Sequence, residues 1–370
     1  MSVRTPFVVV LLLLGATIGC IAPSAVSGDP VATSVAATVA ASRPSATPTL
    51  PPTPEPTPLP PRLWMSYTSG GETAWWLQDG AVTQTTLPVQ PGQYYDYAPA
   101  NGKILYASHF ASKGEGPGNL AVSDLWMVDY PSGTPVMLIP DDIVVEALWT
   151  PDGAGFVYIL ATPETYELRH RLLSGGDTLL ASNVAPTWSV SPNGTAVAFT
   201  RETGYDVPGA PGLYVVPMDG GPEVMISTED RHGSGSIDDK PLWSLDGARL
   251  ALPIFGEFPL KMIVASPDGA FSAPLTFTPE LAADPSLGTV PTTILWHPDG
   301  IHLVGVGNVP VGEGMGGPST ILLYTLAEDG HTVTAATQVA TGYGLIDWNV
   351  PGRSVYFVNE NGQPALATLP

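Results

Sequence analysis

Trp149-Thr150-Pro151-Asp152-Gly153, followed by the apolar run Phe156-Val157-Tyr158-Ile159-Leu160, decides how this chain folds, because the same order of residues returns along it. It recurs from Trp188 to Asn193-Gly194 before Val197-Ala198-Phe199, and as Trp243-Ser244-Leu245-Asp246-Gly247 before Leu250-Ala251-Leu252. Trp296-His297-Pro298-Asp299-Gly300 precedes Leu303-Val304-Gly305-Val306, and Trp348-Asn349-Val350-Pro351-Gly352 precedes Val355-Tyr356-Phe357-Val358. An earlier copy carries Tyr97 in place of tryptophan and runs through Asn101-Gly102 into Ile104-Leu105-Tyr106. The turn glycines at 102, 153, 194, 247, 300 and 352 recur about every 50 residues. A period near 40–50 with strand chemistry predicts an all-β propeller. A strand ending in an aromatic residue enters an Asp-Gly or Asn-Gly turn, whose glycine accepts positive φ and reverses the chain. Tyr97, Trp149, Trp188, Trp243, Trp296 and Trp348 are read as the large side chains that fill the wedge between neighbouring blades.

A second glycine returns inside each unit, at 80, 133, 175, 220, 269 and 330, and marks a second hairpin. Each blade is therefore expected to hold four strands, A to D outward from the axis, with six blades favoured and seven possible. Adjacent strands run antiparallel, so the B–C and D–A loops share one face and the A–B and C–D hairpins the other. The long B–C loops Ser108–Asp124, Arg201–Gly212 and Asn308–Ser319 make the first face the expected ligand side, with Glu115, Asp206, Glu313 and Met315 as candidate contacts.

Composition agrees with this reading. Gly 40 and Pro 41 in 370 residues are about 22 % of the chain, against about 12 % in average usage. Only 13 % of residues are charged, too few for a coiled coil or a charge-laced helical bundle. The net charge of −21 repels phosphate backbones and anionic headgroups, which excludes nucleic acid as a partner.

The N-terminal segment reads as an address. Arg4 precedes the apolar run Phe7 to Leu14, small residues follow, and Cys20 is the one cysteine. Gly19-Cys20 resembles the lipobox of bacterial lipoproteins, although Thr17 stands where that pattern prefers an aliphatic residue. The resemblance implies lipidation of Cys20 and an exported, membrane-anchored protein. Residues 21–61 read as a disordered Ala/Ser/Thr/Pro-rich tether, whose proline-dense end favours an extended polyproline rod. Residues 62–370 read as the propeller.

The Trp-x-Pro-Asp-Gly copies, over about residues 62–358, resemble the WD-type repeats of TolB-like propellers, the family of the periplasmic component of the Tol system. That resemblance implies a six-bladed propeller serving as a protein-binding scaffold in the cell envelope. The TolB-type N-terminal domain has no counterpart here. Neither has the α/β-hydrolase domain of related prolyl-oligopeptidase-type enzymes, since no Gly-x-Ser-x-Gly occurs and the chain stops at Pro370 directly after the last repeat.

Candidate chemistry gathers in the D–A loops. The segment Glu229 to Lys240 holds His232, Asp238 and Asp239, oxygen and nitrogen donors suited to a hard cation or an acid/base pair. Glu146 before Trp149 and Asp347 before Trp348 suggest carboxylates recurring near the mouth of the central channel. No His-x-His or His-Glu-x-x-His occurs, and His297 reads as a turn residue at a position where Ser or Asp also serves. No cofactor is assigned; a cation such as calcium at the channel mouth is the one candidate. The expectation is a monomeric, tethered scaffold that binds an envelope protein, peptide or glycan, with catalysis the less favoured reading. The alternative is a hydrolase or lyase using carboxylates and His232.

Overall fold

The computed structural model describes residues 59–68, 71–90, 94–108, 111–112, 121–202, 209–229, 240–254, 261–284, 286–287, 290–307 and 319–370. The chain separates into two units, Met1–Thr53 and Pro54–Pro370, and all described residues lie in the second. The signal segment, Cys20 and most of the tether therefore fall outside the described residues. So do Glu115, Asp206, His232, Asp238, Asp239, Glu313 and Met315.

The described residues are almost entirely β-strand, with one four-residue helix at Pro279–Ala282, and their sheets follow one another as the blades of a propeller. Six innermost strands carry the recurrent motif: Tyr94–Ala98, the second half of Val136–Trp149, Trp188–Val190, Leu242–Trp243, Pro291–Trp296 and Gly344–Val350. Each pairs antiparallel with the strand that follows its Gly turn. Val136–Trp149 runs on from the outer edge of one blade into the inner strand of the next, bending at Asp141, whose φ is +80°. The chain ends contribute two three-stranded sheets, Arg62 to Thr85 and Gly344 to Thr368. These two meet where the Gly80 amide donates to Asn349 Oδ1 at 2.7 Å and to Tyr356 Oη at 2.8 Å.

The strands form because their apolar residues have somewhere to go on both faces. Strands such as Gly155–Ala161, Gly212–Pro217 and Leu250–Ile254 are buried almost throughout, as a sheet with neighbours on each side requires. The core is accordingly a series of layers between sheets. One layer joins Val157, Ile159 and Leu168 to Trp188, Phe199 and Tyr214, and another joins Val304, Val306 and Ile321 to Trp348, Val355 and Phe357. Trp149, Trp188, Trp296 and Trp348 are all buried, and truncating such a side chain to alanine costs about 3–5 kcal/mol.

The tryptophans do not all share one register. Trp149 pairs with Phe156, Trp243 with Leu250, Trp296 with Leu303 and Trp348 with Val355. Trp188 instead pairs with Phe199, and Val190 takes the position next to the turn. A shift of two residues keeps the side chain on the same face of a strand, so Trp188 still enters an interlayer core.

Two of the A–B turns share one hydrogen-bond plan. Thr150 Oγ1 donates to Asp152 Oδ1 at 2.6 Å and Ser244 Oγ to Asp246 Oδ1 at 2.6 Å, while the Ala154 and Ala248 amides donate to those same carboxylate oxygens. Neighbouring hairpins are then stitched together: Asn101 Nδ2 donates to Gly153 O at 2.7 Å. A Cβ on Gly153 would lie 2.9 Å from that same Asn101 Nδ2, whereas one on Gly102 would meet nothing within 4 Å. Both residues have φ near +70°. Gly102→Ala is therefore expected to lose only the left-handed strain of about 1–2 kcal/mol. Gly153→Ala adds an overpacking loss of about 1–3 kcal/mol. Urea unfolding of the two variants checks this, and equal losses would show that the stitch between hairpins contributes nothing.

Candidate functional site

Two groups of polar side chains stand out from the apolar layers. The first lines the innermost strands, where β-bulges re-aim side chains. The pairing register slips by one residue before Asp96, before Glu146 and before Asp347, each a carboxylate on an innermost strand. Asp96 Oδ1 accepts the Tyr97 amide at 2.8 Å, and its Oδ2 accepts the Trp149 amide of the next blade at 2.8 Å. Asp347 is buried, and its Oδ1 accepts the Trp348 amide at 2.7 Å. Its other oxygen pairs with Arg62 at 2.5 Å. Glu146 pairs with Lys240 at 2.5 Å, and this ammonium reaches across the intervening blade over the face of Trp188, 6.0 Å from the ring centre.

Glu146 and Asp347 are thus present where the inner strands place them, but neither is a bare carboxylate: Lys240 and Arg62 already neutralise them. This changes the expected acidic ring into a mixed-charge cluster. Arg62 and Asp96 are not readable from the repeat, because their meeting depends on the two chain ends being brought together. One signal did exist in the sequence: Asp96-Tyr97 and Asp347-Trp348 put a carboxylate before the repeat aromatic in both copies.

Asp96 is the member with altered acidity. Burial in the wall of the inner strands raises its pKa to about 6, against the opposing pull of the Trp149 and Tyr97 amides and of the Lys240 and Arg62 charges. Beside it, burial and then the Glu146 charge push the Tyr95 phenol well above its ordinary range, so Tyr95 stays protonated. Its Oη donates to Val145 O at 3.3 Å. The cluster accordingly combines a carboxyl that changes charge near neutrality, two cations and a neutral phenol, which is acid–base equipment.

The second group sits on the A–B hairpin between Pro291–Trp296 and His302–Gly307. His297, Asp299 and His302 each offer a ligand atom, all within 4.8 Å of one another. Asp299 lies 2.9 Å from His297 Nδ1 and 2.6 Å from His302 Nδ1. Partial burial opposes the charge of Asp299, but the His302 hydrogen bond, the Ile301 amide and the two nearby imidazoles prevail and hold its pKa below the ordinary value. His297 does serve the turn, its Nδ1 accepting the Asp299 amide at 3.3 Å, and it also belongs to this donor set. Among the described residues a group able to hold a cation is therefore present on this hairpin; His232, Asp238 and Asp239 of the D–A loop lie outside the described residues. Sequence inspection passes over it because His-x-x-x-x-His around Pro-Asp-Gly is not a helical ligand spacing; only the hairpin brings residues 297 and 302 together.

No protein-family model matches the chain. No curated protein matches it either. Solved structures do. The oligogalacturonate lyase of Vibrio parahaemolyticus is 14 % identical over 84 % of this chain and 87 % of its own, with a TM-score of 0.52. TolB of Acinetobacter baumannii is 12 % identical over 83 % of this chain and 79 % of its own, with a TM-score of 0.42. The periplasmic gluconolactonase of Pseudomonas aeruginosa is 14 % identical over 84 % of this chain and 95 % of its own, with a TM-score of 0.47. Identities this low carry the fold and nothing finer. The preference for a non-catalytic chain is nevertheless corrected by these findings together: a His–Asp–His donor set is present, and the fold is shared with a lyase.

The charge network yields a titration test. The raised Asp96 pKa means the folded chain holds the extra proton between about pH 4, the unfolded value, and about pH 6. Stability therefore falls as pH rises through that window and stays lowered above it. Asp96→Asn should flatten that fall in pH-dependent unfolding. Lys240→Met removes a favourable charge and frees Glu146 to repel, so the Asp96 carboxyl midpoint, read by NMR, should move above 6. An unchanged midpoint would place Lys240 outside the field of Asp96.

Proposed function

We propose that this chain is a propeller enzyme of the hydrolase or lyase kind, acting on a carbohydrate outside the cytoplasm. The observation that carries the reading is the inner-strand cluster, where the half-buried Asp96 carboxyl, its pKa raised to about 6, adjoins Lys240, Arg62 and the neutral Tyr95. A general acid or base works best when its pKa lies near the working pH. Above pH 6 the Asp96 carboxylate accepts a proton from the substrate. The Arg62 side chain, half exposed, offers its free edge to a negatively charged sugar group, and Lys240 stabilises charge that develops beside Asp96. In a lyase step Asp96 takes the proton next to the sugar carboxylate, the neighbouring C–O bond breaks with its electron pair leaving on oxygen, and that oxygen takes a proton from water or back from the Asp96 carboxyl. The name of the Vibrio parahaemolyticus relative, oligogalacturonate lyase, supports an acidic oligosaccharide as the first substrate to try. The overall acidity of the chain disfavours long polyanions, so short oligomers are preferred.

The address belongs to the same reading. The resemblance of the repeats to TolB-like propellers, the N-terminal apolar run and Gly19-Cys20 support an exported protein, lipidated at Cys20 and carried on the residue 21–61 tether. A single globular head held this way can meet glycan at the envelope without a partner subunit.

Two measurements test the proposal. Screening the purified chain on oligogalacturonates, neutral oligosaccharides and sugar lactones should reveal turnover whose kcat/KM falls tenfold per pH unit below about 6. Asp96→Asn should cut kcat by about 10²- to 10⁴-fold with little change in KM. No turnover on any of these, or an unaltered Asp96→Asn variant, would refute the assignment. Separately, fatty-acid labelling of expressing cells should mark the chain and be lost in Cys20→Ser.

A further inference from the structure

The six A–B hairpins allow a comparison within one molecule. Three residues before the turn glycine, the copies at 153, 194 and 247 carry Thr150, Ser191 and Ser244. Each hydroxyl donates to the Asp or Asn two residues on, at 2.6, 2.8 and 2.6 Å. A small hydroxyl therefore completes this turn. The hairpin at Gly300 differs by placing the His297 imidazole there, and it adds a second imidazole, His302, two residues after the glycine. Where His302 stands, the other copies have Ile104, Gly155, Ala196, Arg249 and Ser354. Turn formation requires neither histidine.

Contacts outside the cluster orient the donor set. His297 Nε2 donates to Gly352 O of the next hairpin at 3.2 Å, so that ring nitrogen carries the proton and Nδ1 keeps its lone pair, turned towards Asp299. A ligating histidine commonly gives its other N–H to a backbone carbonyl, which fixes both tautomer and ring plane. The His297 ring is further held edge-on to Trp348, centres 5.9 Å apart. His302 lies edge-to-face with His297 at 5.4 Å, and its Nδ1 faces Asp299 Oδ2 at 2.6 Å. Three donor atoms converge, and Asp299 is open to solvent on its remaining side.

We propose that His297 Nδ1, His302 Nδ1 and the Asp299 carboxylate form a binding site for a borderline divalent transition ion, of which zinc is the type. Two imidazole nitrogens and one carboxylate suit zinc, cobalt, nickel or copper; calcium and magnesium take oxygen donors, of which this site offers one residue's worth. The ion replaces the proton that His302 Nδ1 shares with Asp299, and that proton moves to Nε2 or to solvent. Three protein ligands leave a fourth position for water or an anion, the open arrangement of non-structural zinc sites. Because His297 is anchored to Gly352, an ion here also fastens the last two hairpins together. The inference stands apart from the inner-strand cluster and does not depend on its chemistry.

The test uses the full chain, stripped with chelator and titrated with Zn²⁺, Co²⁺ and Ca²⁺. One equivalent of Zn²⁺ should bind at least tenfold more tightly than Ca²⁺, and Co²⁺ should give the intense visible absorption of a four-coordinate ion. The informative variant is His297→Ser with His302→Ala, because serine is what neighbouring hairpins use and the turn is kept. It should weaken Zn²⁺ by roughly tenfold or more and abolish the rise in Tm that saturating Zn²⁺ gives the parent. Circular dichroism matching the parent confirms folding of the variant. Zn²⁺ bound as tightly by the double variant, or no Zn²⁺ preference over Ca²⁺, overturns the proposal.

Discussion

Neighbouring sheets are held together by the apolar layers packed between them, and each inner strand must meet the next blade closely enough to complete such a layer. That constraint governs the rest of the molecule. A polar group closed off between two sheets needs a partner inside the protein, since an unmet one costs about 1–3 kcal/mol. The partners come from the adjacent blade. Trp296 Nε1 donates to Leu242 O at 3.1 Å, Trp243 Nε1 to Ser189 O at 3.3 Å, and Ser189 Oγ to Pro241 O at 2.6 Å. Asp96 takes the Trp149 amide, and Asn101 and His297 reach the turn carbonyls of Gly153 and Gly352. The recurrent aromatic residue therefore has two duties: its area fills the interlayer space, and in two copies its N–H ties that blade to the one before.

The candidate chemistry arises at the places where this stitching uses an ionisable group. Asp96 is set into the wall because a carboxylate can satisfy two amides at once, and burial there raises its pKa to about 6. His297 performs the hairpin stitch that Asn101 performs elsewhere, and its second nitrogen is left facing Asp299. In both cases a structural contact fixes the position of an ionisable group. The two groups differ in kind. The inner-strand cluster suits proton transfer, while the hairpin group suits a metal ion.

Much of the fold was legible because its determinants are local. A turn glycine with positive φ followed by an apolar run is written within about ten residues, six times over, and at Thr150/Asp152 and Ser244/Asp246 a hydroxyl and a carboxylate two residues apart complete the turn. Glu146 and Asp347 were legible as inner-strand acids from their distance to the repeat tryptophan. Trp188 shows where the repeat misleads: alternation lets a strand carry its large residue two positions early without changing faces. The partners of the acids were not legible. Lys240 lies 94 residues from Glu146 and Arg62 lies 285 from Asp347, and no local pattern announces pairs that separate blades create.

By itself the sequence determined that the chain is all-β, that it repeats about every 50 residues, that five of its six repeat turns are Asp-Gly or Asn-Gly hairpins, and that it is strongly acidic. Those properties rest on backbone preference and side-chain periodicity, which act over a few residues. Tertiary structure alone decided which charges meet, which carboxyl titrates near neutrality, and that His297 and His302 face one carboxylate. Those depend on distances of a few ångströms between residues that the ring and its hairpins bring together, and both burial and ion pairing change steeply over such distances.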